Sequence, residues 1–205
     1  LEKEFGVARF ACDASDPESV VRLFADVESQ LGAPRLVVHN IDGRVKEIFR
    51  KELIEADSKL VLQTIHNSAY SAFLVGQQAA RTMLSQAATT EEQRGTILFT
   101  NASAAIKGYP LSAAFAIASH GKAGLAQSMA RELGPQGIHV VHCPIDGAIA
   151  WTQEDGSRKH WLAGADEGDN MLDPDRIAET YLHLHNQHKS TWTFEAVMRP
   201  WKERW

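Results

Sequence analysis

Apolar and polar positions along this chain switch between two periods, and the switching lays out alternating strands and helices. Residues 7–12 (VARFAC) form a short apolar run closed by Asp13, which predicts a strand. Asp16-Pro17-Glu18-Ser19 then places an N-cap ahead of a proline suited to a first helical turn. Val20, Val21, Leu23, Phe24, Val27 and Leu31 follow at helical spacing until Gly32-Ala33-Pro34 stops the helix. Residues 36–38 read as a short buried strand, with Asn40 and Gly43 on the loop after it. A long helical stretch is expected over 57–86, small residues at 69–80 permitting close packing, and 89–95 is a polar break. The β-branched run 96–100 (TILFT) predicts a central strand. A helix over 113–133 ends at Gly134-Pro135, and 138–141 (IHVV) is the next strand. Asp173-Pro174-Asp175 caps a helix reaching about residue 185, and 192–198 (WTFEAVM) reads as a last strand. Strands separated by helices of this length imply right-handed crossovers and a mostly parallel α/β sheet. Residues 151–170 combine charge, Gly156, Gly164 and Gly168 without sustained periodicity, and are expected to be an irregular, mobile lid.

Composition narrows the classes. The chain has 205 residues, 44% hydrophobic and 23% charged, which suits a single globular domain over 1–205. A net charge of −5 gives no basic excess, so no nucleic-acid partner is expected. No apolar run approaches the ~18 residues of a membrane span, and no signal-peptide pattern opens the chain. Cys12 and Cys143 lie far apart and belong to no Cys-x-x-Cys pair, so a reduced, cytoplasmic protein is the expectation. His183 and His185 point to different sides of a helix, and with His139, His142 and His188 they suggest no metal site.

Several segments fall in a recognised order. Cys12-Asp13-Ala14-Ser15-Asp16-Pro17, Val37-Val38-His39-Asn40-Ile41-Asp42, residues 95–108 (GTILFTNASAAIKG) with Tyr109-Pro110, and residues 125–138 (LAQSMARELGPQGI) together resemble the short-chain dehydrogenase/reductase family. Residues 172–178 resemble its penultimate helix. The resemblance implies a Rossmann-like doubly wound parallel sheet, NAD or NADP as cofactor, and hydride transfer at a small carbonyl or alcohol. It also implies a homodimer or homotetramer packed through the helices over 57–86 and 113–133. It places strands one and two, with the glycine-rich turn that holds the pyrophosphate, ahead of residues 7–12. A preceding segment on the order of 30 residues or more is therefore expected before Leu1.

Carried over residue by residue, Asp13 would approach the adenine and Asn40 the ribose, although each also reads as an ordinary turn residue. Gly147 and Ile149 would border the cofactor, Asp146-Gly147 replacing the family's Pro-Gly pair. Asp42 stands where the family has glycine, and its carboxylate would crowd the cofactor phosphates. The family's four catalytic positions carry other residues: Phe115 for Tyr, Ser119 for Lys, Ala102 for Ser and Ser68 for Asn. Phe has no proton to transfer and Ser119 no charge. Ser103, Tyr109 and Lys122 are the candidate substitutes. Their plainer readings are a loop hydroxyl bonded to backbone, a packing residue at a subunit contact, and a solvated or interface lysine. His120, about 100° round the helix, reads as a surface residue. Two readings stay open: an oxidoreductase with a displaced catalytic set, and a non-catalytic Rossmann-like protein binding a nucleotide or a protein partner.

Overall fold

The computed structural model describes residues 6–86, 93–160 and 163–204. Its helices start where the sequence supplies oxygen caps. Asp16 accepts from Ser19 N (3.0 Å) ahead of Pro17, opening α1 (Pro17–Leu31), and Gly32 at φ 85° ends it. Leu36–His39 is β1. Asp57 accepts from the backbone N–H groups of Lys59 and Leu60 and opens α2 (Ser58–Ile65). This helix runs through a π-turn at His66–Tyr70 into α3 (Ser71–Ser85), so the expected long helix carries one widened turn. β2 (Gly95–Ala102), α4 (Ala113–Leu133) and β3 (Ile138–Ile145) follow.

β1, β2 and β3 form a parallel sheet in that order, with Val38 opposite Leu98 and Leu98 opposite Val141. Alternation along the strands sends the two faces to different helices. Ile97, Phe99, Ile138 and Val140 pack with residues of α1, α3 and α4, among them Val20, Phe24, Ala79, Met83 and Ala126. Leu98, Val141 and Cys143 pack on Tyr181 and Leu184 of α5 (Pro174–His185), which opens on its Asp173 cap as expected. β3 is buried at all eight positions, with β2 on one side and residues 194–198 on the other.

Three expected elements differ. Residues 7–12 join no β-ladder among the described residues, so they form no strand, and Val7 is 44% exposed. An extended segment becomes a strand only through a partner's N–H and C=O groups.

Residues 194–198 do run parallel beside β3. His142 N–H donates to Phe194 O, Ala196 N–H to His142 O, Met198 N–H to Pro144 O and Asp146 N–H to Met198 O, all at 2.8–3.0 Å. One rung is missing because Pro144 has no N–H to give Ala196, and two isolated bridges replace a continuous ladder. Residues 151–170, expected to be irregular, instead build a small antiparallel sheet of β4 (Trp151–Thr152), β5 (Arg158–His160) and β6 (Gly164–Ala165). Arg158 reaches across this segment to Asp166 (3.3 Å) and Asp173 (3.5 Å).

No helix among the described residues is long and apolar enough to cross a membrane. The two cysteines differ sharply. Cys143 is sealed in the sheet and burial pushes its thiol up to about 12, whereas Cys12 is half-buried. The thiolate is the reactive form, so iodoacetamide at pH 8 is expected to add one label to the native protein and two after denaturation. Mass spectrometry reads the count, and labelling of Cys143 in the native state would contradict the packing.

Candidate active site

The carboxyl ends of β1, β2 and β3 open into one cavity of about 930 Å³. In an open parallel sheet this end is where ligands bind. Asn40, Ser103, Tyr109, Lys122, Gly147 and Ile149 all border it, so the topology gathers six of the seven candidate residues. Asp13 is not among the lining residues. Its carboxylate accepts from Ser15 N (2.9 Å) and Ser15 Oγ (2.7 Å), bonds that hold it below the usual carboxylate range.

Lys122 corrects the expectation of a solvated lysine. It is 2% exposed, and its Nζ donates to Ile41 O (2.9 Å) and Thr100 O (3.2 Å). It therefore ties the loop after β1 to the end of β2. Burial lowers its pKa to about 8, against the pull of the Asp42 carboxylate. An ammonium has three hydrogens. Those two carbonyls leave one for a group in the cavity that Lys122 borders.

Tyr109 lies 42% exposed in the wall. Lys107 hydrogen-bonds its hydroxyl, a contact that raises the lysine above its ordinary range, and its ammonium lies 5.4 Å from the ring centroid. Ser103 opens a short turn directly after β2. His120 is exposed and bonds back to Ala116 O, as a surface residue would.

Phe115, Ser119, Ser68 and Ala102, the residues the resemblance sets at the family's catalytic positions, have differing surroundings. Phe115 borders the cavity with the Arg44 guanidinium 4.0 Å over its ring. Ser119 is buried, and its hydroxyl finds no partner among the described residues. Ser68 is buried in the π-turn. Ala102 donates its backbone N–H to Asn101 Oδ1 (3.0 Å). Asp42 is neutralised in place: Arg44 Nε sits 2.9 Å from its carboxylate. Gly147 is required by conformation and by space, since its φ is +151° and a Cβ there would lie 2.7 Å from Pro200.

Sequence reading missed Arg44, which matters only through its neighbours in space; Asn101 stands out in the sequence only as a neighbour of the family's serine position. The histidines considered as a metal set go to separate partners: His139 to Thr193 O, His185 to Thr96 Oγ1 and His142 to Glu195. His139 also stacks on Trp192 at 4.8 Å, which makes that tryptophan a packing residue, while Trp201 is exposed and Trp205 lies outside the described residues.

The profile of the enoyl-(acyl carrier protein) reductase group matches residues 1–198. The chain is a short-chain dehydrogenase/reductase. A 3-oxoacyl-[acyl-carrier-protein] reductase, MabA of Mycobacterium avium, is 31% identical over 134 residues, 65% of this chain and 48% of that protein. This short-chain dehydrogenase/reductase chain thus spans about half the length of the curated relative it matches. A short-chain dehydrogenase from Rhodopseudomonas palustris superposes with a TM-score of 0.72 at 29% identity, covering 95% of this chain and 74% of that one. An alcohol dehydrogenase from Thermococcus sibiricus, solved with 5-hydroxy-NADP, shares the fold with a TM-score of 0.74 at 17% identity, over 99% and 79% of the two chains.

Proposed function

We propose that this chain carries the reaction cleft of a nicotinamide-nucleotide-dependent oxidoreductase acting on a small carbonyl or alcohol. The observation that supports it best is Lys122, a buried cation three residues beyond the family's lysine position and on the same helix face. Its two backbone anchors leave one hydrogen for a ligand. The residues bordering the cavity suit such a nucleotide: Asn40 offers a flat amide to a ribose, Gly147 allows close backbone approach, and Ile149 adds an apolar edge. Solved relatives carry the same class of ligand, namely 5-hydroxy-NADP, NADH and NADP. When bound, the nicotinamide supplies or accepts the hydride.

The chain's own residues then handle the oxygen and its proton. In the reducing direction Tyr109 donates its phenolic proton to the carbonyl oxygen as the carbon receives hydride, and the product is the alcohol. The phenolate left behind regains its proton from water at the open wall. Ser103 holds the substrate oxygen. Phe115, half-buried with Arg44 over its ring, favours a second reading, in which the cavity binds a nucleotide or a protein partner without turnover.

Nicotinamide oxidation over aldehydes, ketones and a 3-oxoacyl thioester separates the two. Turnover that falls about 100-fold or more in Tyr109→Phe is the expected result. Intact cofactor binding without turnover would establish the second reading instead.

A further inference from the structure

β3 places one titratable ring where it joins three elements. His142 is 1% exposed; its Nδ1 lies 2.8 Å from Glu195 Oε2 and its Nε2 2.9 Å from Asn101 Nδ2. Asn101 borders the cavity. Its Oδ1 accepts from Ala102 N (3.0 Å), and its Nδ2 also donates to Ser119 O (2.9 Å).

Counting hydrogens fixes every role in this network. The two hydrogens of Nδ2 go to Ser119 O and to His142 Nε2, so Nε2 must accept. The ring's own hydrogen is then on Nδ1 and goes to Glu195. Flipping the amide fails, because it would face the Ala102 N–H with an NH₂ group and Ser119 O with an oxygen.

We infer that His142 is a positioning residue of the cavity wall, and that a proton added to its Nε2 releases Asn101 and loosens the turn carrying Ser103. With that proton in place, Nε2 and Nδ2 are two donors face to face. Asn101 can escape only by giving up Ser119 O or Ala102 N–H, and Ala102 directly precedes Ser103. The charges around the ring set when this happens. From the segment beside β3, the half-exposed Glu195 carboxylate favours the imidazolium, while Phe194 stacks at 6.5 Å and is neutral. From α4, the Lys122 ammonium opposes it, and β2 contributes only the neutral Asn101. Burial is the largest influence and also opposes it, so the ring rests neutral at neutral pH and converts below the ordinary histidine range. The inference goes beyond hydride transfer and stands whether or not the cavity turns over a substrate.

Nitrogen-15 NMR of the full chain tests it. At pH 7.5 His142 is expected as the neutral Nδ1–H tautomer, and the Nε2–H tautomer would overturn the network. On acidification the Asn101 side-chain amide and the Ala102 backbone amide should shift with the same midpoint as the His142 ring. In Glu195→Gln that midpoint should move to lower pH. His142→Gln keeps an oxygen near the Nε2 position without titrating, so both amides should hold their neutral-pH positions across the range. A ring that stays neutral throughout the folded range, or amides that ignore its titration, would overturn the switch. The wild type and Glu195→Gln carry the test if His142→Gln fails to fold.

Discussion

Between pH 6.5 and pH 3 the folded protein should lose about 5 kcal/mol of stability through one side chain, His39. The ring is 2% exposed, and its Nε2 lies 2.9 Å from Ser71 Oγ. That hydroxyl has a single hydrogen, which goes to Asn67 O (2.7 Å) or Ser68 O (3.0 Å). The oxygen therefore accepts from the ring, and the histidine is the Nε2–H tautomer. Its Nδ1 is bare, with no partner among the described residues. A second proton would land there in a buried site that also feels Lys122, and burial first and that charge second hold the pKa down to about 3, against a weaker pull from the residue's own backbone. Above pH 6.5 both folded and unfolded forms are neutral. As pH falls, the unfolded chain takes up the proton and the folded chain does not, so stability drains away. Urea unfolding at pH 7.5, 5.5 and 4.5 checks this against His39→Phe. The wild type should lose about 1.4 kcal/mol per pH unit more than the variant below pH 6, and parallel slopes would defeat the argument.

Lys122 gives the opposite slope. Its folded pKa of about 8 lies below the ordinary 10.5, so its burial is a cost at pH values below 8. The cost fades as pH rises from 8 to 10.5, because there the unfolded chain still holds a proton that the folded chain has released. Lys122→Met removes the titration and also leaves the carbonyls of Ile41 and Thr100 without this donor. Those losses oppose each other at any single pH. The change with pH isolates the first: stability of wild type relative to Lys122→Met should rise by about 3 kcal/mol between pH 7 and pH 10.5. A difference that stays constant across that range would place the ammonium in water rather than beneath the cavity.

Much of the fold could be read from the chain because its signals are local. Asp16-Pro17 and Asp173-Pro174 each cap the helix expected of them, and α4 covers the expected residues 113–133. What failed depended on partners. Residues 7–12 have strand composition but join no described β-ladder, and the rung lost at Pro144 interrupts the ladder beside β3 through chemistry on the opposite strand. The site was legible to a similar depth. Ser103, Tyr109 and Lys122 were found by proximity to family positions, and the parallel sheet brings them to one cavity. Burial of Lys122 was not legible, since helix periodicity alone cannot show a loop carbonyl from β1 arriving above it. The stacking of Arg44 on Phe115 joins residues 71 positions apart in the chain and left no local trace.

The π-turn between α2 and α3 makes the length of this stretch matter as much as its composition. A π-turn holds one residue more than an α-turn. Gly43, at φ +75°, is pressed against it so closely that a Cβ would sit 2.7 Å from Ser68 Cβ. Deleting any one residue of 66–70 would let the helix heal into a regular spiral with every hydrogen bond intact. All of α2 would then be turned by about 100° relative to α3. Thr64, now 1% exposed and bordering the cavity, would swing off its face, and Leu62, now 63% exposed, would change its outlook with it. Here a missing residue would do more damage than an altered one, although it would leave the helix itself unharmed.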